Sequence, residues 1–159
     1  MLFRREKRPA LLTFERILVP LAGTAADDAA LRLAATLLEG TAGSVSLLHV
    51  IEVPFERELD AQDPAAVAYA DELLSRAEAF LADRKFSVST GIAQARAAGT
   101  AIVDDAVAQR AELIIMGLPY KKRFGGGWDA GRTVPYVMRN STAPVWCLRD
   151  ETEDLASTP

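Results

Sequence analysis

The residues from Gly117 to Thr133, GLPYKKRFGGGWDAGRT, have the types and spacing best suited to chemistry. Three cations in a row, Lys121, Lys122 and Arg123, precede Gly125, Gly126 and Gly127, and Gly131 stands just before Arg132 and Thr133. Consecutive glycines expose backbone N–H groups without side-chain obstruction, and the first N–H groups of a helix lack partners and attract anions. Arg132 adds a forked donor that suits a phosphate. The alternative is a wet, basic connection, and spacing alone does not separate the two. No Gly-Lys-Ser/Thr triplet follows a strand, so this is not a Walker loop, and it is not the dinucleotide fingerprint either. Tyr120 and Trp128 either stack on a base or pin the loop to the protein body, the commoner role of loop aromatics. Asp129 could help hold a Mg²⁺ ion on a bound phosphate.

Little else in the chain points to catalysis. His49 is the only histidine. It lies inside an apolar run, where a satisfied structural imidazole is the expected role, and no Ser-His-Asp set can be assembled around it. Cys147, the single cysteine, sits beside Trp146 and is expected in the core or at a dimer interface. Asp104 and Asp105 read as the beginning of a helix, favoured by its dipole rather than by a metal. Efficient catalysis is therefore not expected.

The elements that position these residues follow from periodicity. Short apolar runs over 16–21, 44–53, 113–116 and 143–148, and an alternating run over 86–93, read as strands. Pro144 and Arg149 mark the last of these as an edge. Helical spacing covers 25–38, 65–83, 100–110 and 133–140. In the first helix Ala29, Leu33, Ala34, Leu37 and Leu38 are expected inward, with Asp27 and Asp28 in its dipole-favoured first turn. In the second the inward set is Val67, Ala70, Leu73, Leu74, Ala77 and Phe80. Gly99 introduces the third helix, and Pro135 is tolerated in the first turn of the fourth. Pro54 to Pro64 is a loop. Strictly alternating strands and helices imply right-handed crossovers and a mostly parallel sheet with helices on both faces. Ligands of such sheets bind at the carboxyl ends of the strands, where the strand order reverses. Leu21–Thr24, Val50–Val53 and the stretch from Gly117 onward occupy those ends.

Composition sets the outer limits. A chain of 159 residues, half of them hydrophobic, is enough for one ordinary domain. A net charge of −4 gives no support to nucleic-acid binding. One cysteine excludes a disulfide framework. No apolar run approaches membrane-spanning length and the N-terminus lacks a secretory apolar segment, so a reducing cytoplasm is the expected compartment. The basic start, with Arg4, Arg5, Lys7 and Arg8 after Leu2 and Phe3, and the acidic end, with Asp150, Glu151, Glu153 and Asp154, read as tails. Four cations give weak membrane attachment at most.

RILVPLAGT, SLLHVIE, AELIIMG and GRTVPYVMRNSTAPVWCLR, taken in that order, resemble a universal stress protein domain over residues 15–149, between tails at 1–14 and 150–159. The resemblance implies a Rossmann-like α/β fold with a five-stranded parallel sheet in order 3-2-1-4-5. It also implies a homodimer through the last strand, here Val145–Leu148, and a regulatory role, with ATP or AMP bound in many members and no nucleotide in others. Such domains also occur with membrane transporters. The alternative function is therefore a homodimeric interaction module without nucleotide that regulates a transporter.

Nucleotide-binding members carry Gly-x-x-Gly, nine residues, then Gly-Ser or Gly-Thr. Gly117 matches the first glycine and Gly131 the third. Tyr120 stands in place of the second, Arg132 in place of the hydroxyl residue with Thr133 one position late, and the loop is one residue longer. Ala22 stands where the family often has an adenine-contacting Asp. The candidate ligand-binding residues are Pro20, Leu21, Ala22 and Gly23 after the first strand and Val50 in the second. The loop adds Gly117, Leu118, Lys121 and Arg123, and the last helix adds Gly131, Arg132, Thr133 and Val134. Mg²⁺ would accompany ATP.

Overall fold

The computed structural model describes residues 12–118 and 131–149. Both tails and the stretch 119–130, with Tyr120, Lys121, Lys122, Arg123, Gly125–Gly127, Trp128 and Asp129, lie outside them. Nine elements follow in strict alternation: β1 (Arg16–Pro20), α1 (Ala26–Leu38), β2 (Ser44–Glu52), α2 (Pro64–Phe80), β3 (Ser87–Ala95), α3 (Ala98–Ala108), β4 (Leu113–Leu118), α4 (Thr133–Asn140) and β5 (Val145–Arg149). All strand pairs are parallel, and the order is β3-β2-β1-β4-β5. β5 is an edge, as Pro144 and Arg149 suggested.

The central strands are apolar on both faces because helices cover both. Ile17 and Val19 of β1, with Leu113 and Ile115 of β4, point into one cluster completed by α1 and α2. Leu18, Ile114 and Met116 point the other way, against Ile102 and Ala106 of α3 and Val134 and Val137 of α4. Period-two alternation thus feeds two cores from one pair of strands.

Helix α1 faces the sheet through a different stripe from the expected one. Its buried residues are Ala26, Asp27, Ala30, Leu31, Ala34, Ala35 and Leu38, while Ala29, Leu33 and Leu37 are only half-buried. Small residues let the helix come close, and at Gly117 the approach is closest. A Cβ on Gly117 would overlap the backbone carbonyl of Ala26. Gly117 does not end β4, as expected, but lies within it, and what comes close to it is α1.

Four further expectations change. Val67 and Phe80 stand at the two ends of the α2 stripe formed by Ala70, Leu73, Leu74 and Ala77, and they are 37% and 46% exposed. Helix α3 starts at Ala98, so Asp104 and Asp105 sit well inside it and gain nothing from its N-terminal dipole. Gly99 is not the signal before the helix but a residue inside it, buried because a Cβ there would strike the Tyr136 ring of α4. Pro64 belongs to α2 rather than to the preceding loop. It occupies the first turn, and the Asp63 side chain caps the helix by accepting from the Ala66 N–H at 3.1 Å.

Gly117→Ala is expected to destabilise the fold by about 1–3 kcal/mol, because the added methyl meets backbone that cannot swing aside. Urea denaturation would measure this, and an unchanged midpoint would refute the close-approach account.

Candidate functional site

A cleft of about 680 Å³ opens at the carboxyl ends of β1, β2 and β4, where the strand order reverses between β1 and β4. That volume falls within the range of about 300–1,000 Å³ typical of small-molecule sites. Its floor is the upper end of the second core: Leu48, Ile102, Met116, Leu118 and Val134, all less than 9% exposed. Polar groups gather at the rim. Thr24 and His49 lie on one side, Glu52 on another, and Gly131, Arg132 and Thr133 at the start of α4.

The cleft brings together ten of the candidate residues: Pro20, Leu21, Ala22, Val50, Gly117, Leu118, Gly131, Arg132, Thr133 and Val134. Gly23 is not among them. It lines a second, smaller cleft of about 400 Å³ between α1 and α2, with Thr24, Asp27, Asp28, Leu73, Arg76 and Phe80. Lys121 and Arg123 fall outside the described residues. Thr24 and Glu52 come from the stretches Leu21–Thr24 and Val50–Val53 expected at the strand ends, whereas Leu48, Ala98, Ile102 and Met116 were missed, because their roles depend on which chain segments meet.

The β1–α1 connection is bonded at each N–H from Leu21 to Thr24. The Leu21 N–H donates to the Leu48 carbonyl at 2.8 Å. The next three, on Ala22, Gly23 and Thr24, donate to the Asp27 carboxylate at 3.2, 2.7 and 3.3 Å. Successive N–H groups aimed at one point make an anion-binding concavity, and here the chain fills it with its own side chain. Asp27 is therefore more than a dipole partner in the first turn. It is 4% exposed. Burial pushes its carboxyl above the usual aspartate range; the three backbone hydrogen bonds pull down and the Asp28 charge pushes up.

His49 Nδ1 lies 2.8 Å from the Leu21 carbonyl oxygen, which can only accept, so Nδ1 donates. The expected structural role holds, although the residue also stands at the cleft. Its ring meets Tyr69 edge-on at 5.8 Å, and the Tyr69 hydroxyl lies where a Cβ of Gly23 would be. Thr24 Oγ1 is buried and has no hydrogen-bond partner among the described residues.

Two helices begin at the cleft. The N-cap residue of α3, Ala97, has no side chain able to cap, and Glu52 supplies the acceptor from β2: its Oε1 takes the Ala98 N–H at 2.8 Å. Arg132 is the N-cap of α4, with no side-chain cap bond, and Gly131 before it has φ +68°. Gly131 thus serves the left-handed turn into the helix. Among the described residues no group of three or more His, Cys, Asp or Glu is placed to hold a metal ion.

A parallel sheet in order 3-2-1-4-5 with helices on both faces and a cleft at its switch point defines a Rossmann-like, doubly wound α/β domain. The universal stress protein family model matches residues 13–149, and the chain belongs to that family. No curated protein matches it. Among solved structures, hypothetical protein MJ0577 is similar with a TM-score of 0.72 and 22% identity, over 89% of this chain and 100% of that one. The universal stress protein from Archaeoglobus fulgidus in complex with dAMP has a TM-score of 0.65 and 18% identity, over 86% and 98%. A universal stress protein family protein from Arabidopsis thaliana with AMP bound has a TM-score of 0.63 and 11% identity, over 91% and 97%.

Removing the borrowed cap should be measurable. Glu52→Ala is expected to lower stability by about 1 kcal/mol, the usual effect of losing a helix N-cap. Glu52→Gln keeps an acceptor oxygen and should retain most of it. Equal thermal midpoints for wild type and Glu52→Ala would show that the Ala98 N–H finds another partner.

Proposed function

We propose that this chain is a regulatory domain that binds an adenine nucleotide, ATP or AMP, in the cleft at the ends of β1, β2 and β4. One observation carries the reading: an apolar floor large enough for a base and ribose ends at the first turn of α4, where Arg132 and helix N–H groups favour an anion. The buried, unpartnered Thr24 hydroxyl supports it, since such a group in a native protein calls for a polar partner. The dAMP and AMP complexes of the two relatives support the choice of base. Ala22 cannot accept a hydrogen bond through its side chain, so the base is held by the cleft walls and by backbone groups of β2. Arg132 replaces a neutral hydroxyl with a charged donor, and charge-assisted hydrogen bonds are roughly twice as strong as neutral ones. With ATP, a Mg²⁺ ion would ride on the phosphates.

The protein binds this ligand without turning it over efficiently: the cleft holds one imidazole, already committed to Leu21, and no activated nucleophile among its described residues. Two copies pair through β5. Its residues Val145, Trp146, Cys147 and Leu148 are each half-buried on a strand whose one strand neighbour among the described residues is β4, and an apolar edge strand invites a second strand.

Titration calorimetry with AMP and ATP tests the reading. Binding of one nucleotide per chain is expected, weakened about tenfold or more in Arg132→Ala by loss of a charged hydrogen bond. No heat and no thermal shift with any adenine nucleotide would overturn it, since a bound ligand must stabilise the fold. Sedimentation at micromolar concentration should give a dimer, and Trp146→Asp a monomer.

A further inference from the structure

The wall between the two clefts is the segment Ala22–Thr24, and Thr24 lines both of them. We propose that Asp27 is a positioning residue for the larger cleft: its buried carboxylate clamps this wall, and tight binding of a nucleotide depends on the clamp being ionised. The inference rests on the nucleotide reading given above.

The geometry gives the clamp its function. Ala22, Gly23 and Thr24 have three N–H groups converging on one carboxylate. In its ionised form both oxygens accept with full charge; once protonated, one oxygen becomes a hydroxyl and a poorer acceptor, and the clamp on the three N–H groups weakens. Thr24, which lines both clefts, then loses part of the bond that fixes its backbone. Because the concavity is already filled, a ligand's phosphate cannot dock on this loop and is directed to the start of α4.

Asp27 also holds this position at a cost to the fold. Burial raises its carboxyl above the ordinary aspartate range, and the three backbone bonds do not offset that. A group raised in the folded state stabilises at pH below its unfolded value, and that contribution is lost as pH rises through the folded value. At neutral pH the ionised clamp is therefore less stable than an uncharged side chain of the same shape.

Among the described residues the charged and titratable groups facing it are few. Asp28 adjoins it on α1, and Arg76 lies across the smaller cleft on α2. The Tyr69 hydroxyl, also on α2, rests on Gly23, and His49 of β2 bonds to the Leu21 carbonyl. On β4 the nearest residue, Gly117, carries no ionisable group.

The test compares wild type with Asp27→Asn. The variant should melt at the same or a higher temperature at pH 7.5 yet bind AMP about tenfold more weakly, the loss expected when one charged hydrogen bond goes. The two should converge in affinity as the pH falls and wild-type Asp27 takes up its proton. In ligand-free wild type, the Gly23 amide resonance should titrate with a midpoint above the ordinary aspartate range, and that titration should vanish in the variant.

Equal AMP affinity overturns the proposal. So does weaker binding with a lower melting temperature, which would make Asp27 only structural. If wild type binds no nucleotide, the nucleotide reading has failed by itself. The clamp is then decided by the Gly23 titration alone, and a flat amide shift refutes it.

Discussion

The contact between Gly117 and the first turn of α1 governs the rest of the architecture. Without a side chain at 117, the Ala26 carbonyl lies against β4 at the point where the strand reaches the cleft. Helix α1 is thereby drawn onto the sheet with Ala26, Ala30 and Ala34 inward. The next residue of that turn, Asp27, is carried beneath the β1–α1 loop, where it is only 4% exposed. A carboxylate there must find donors, since an unpaired buried charge costs several kcal/mol. It finds them in the backbone of the loop just before its own helix. Loop shape, helix seating and the absence of a side chain at 117 are thus one constraint seen from three positions.

Around the cleft, three stretches of backbone offer N–H groups to an anion: the β1–α1 loop, the start of α3 and the start of α4. The chain's own carboxylates occupy the first two, Asp27 on the loop and Glu52 on Ala98. At the start of α4 the N-cap residue Arg132 makes no cap bond with its own side chain and brings a positive charge instead. Negative charge on the far sides and positive charge at α4 give the cleft a direction. A charged ligand with one anionic end has one favourable orientation, before any specific contact is counted. That asymmetry arises from internal capping, a need of the fold, and it doubles as selectivity.

Much of the fold was legible in the chain because the strands are continuous apolar runs and the helices have strong period. The edge position of β5 could be read from Pro144 and Arg149. The family-like order of RILVPLAGT, SLLHVIE and AELIIMG carried the sheet order, which periodicity alone cannot supply. What stayed hidden depended on which segments meet. Asp27 looks like any acidic residue in a first helical turn until the loop is seen folding back over it. Glu52 lies in the stretch expected at the ligand-binding end of a strand, yet what it does is cap a helix 46 positions later. Gly117 and Gly99 invited readings as turn signals, while both are sites of close packing against another helix. Val67 and Phe80 fit the helical period of α2, but they stand at the two ends of its buried stripe.

The same reasoning bears on how this site differs from the pattern it resembles. In that pattern an acidic side chain stands on the loop itself, at the position of Ala22, and faces the ligand. Here the acidic group has moved five positions along, to Asp27, and faces the loop's backbone. The two arrangements make opposite use of one negative charge. A carboxylate on the loop spends its acceptor capacity on the bound base and leaves the loop to be ordered by other means. A carboxylate beneath the loop orders the backbone first and leaves recognition to shape and to Arg132. Pre-ordering a wall lowers the entropy lost on binding, so a cleft built this way can hold a ligand with fewer direct hydrogen bonds. Its discrimination between bases should be correspondingly looser, because a polar site rejects the wrong ligand chiefly by leaving its own groups unpaired. On the nucleotide reading proposed above, Ala22 in place of that Asp moves the weight of recognition from the base towards the anionic end.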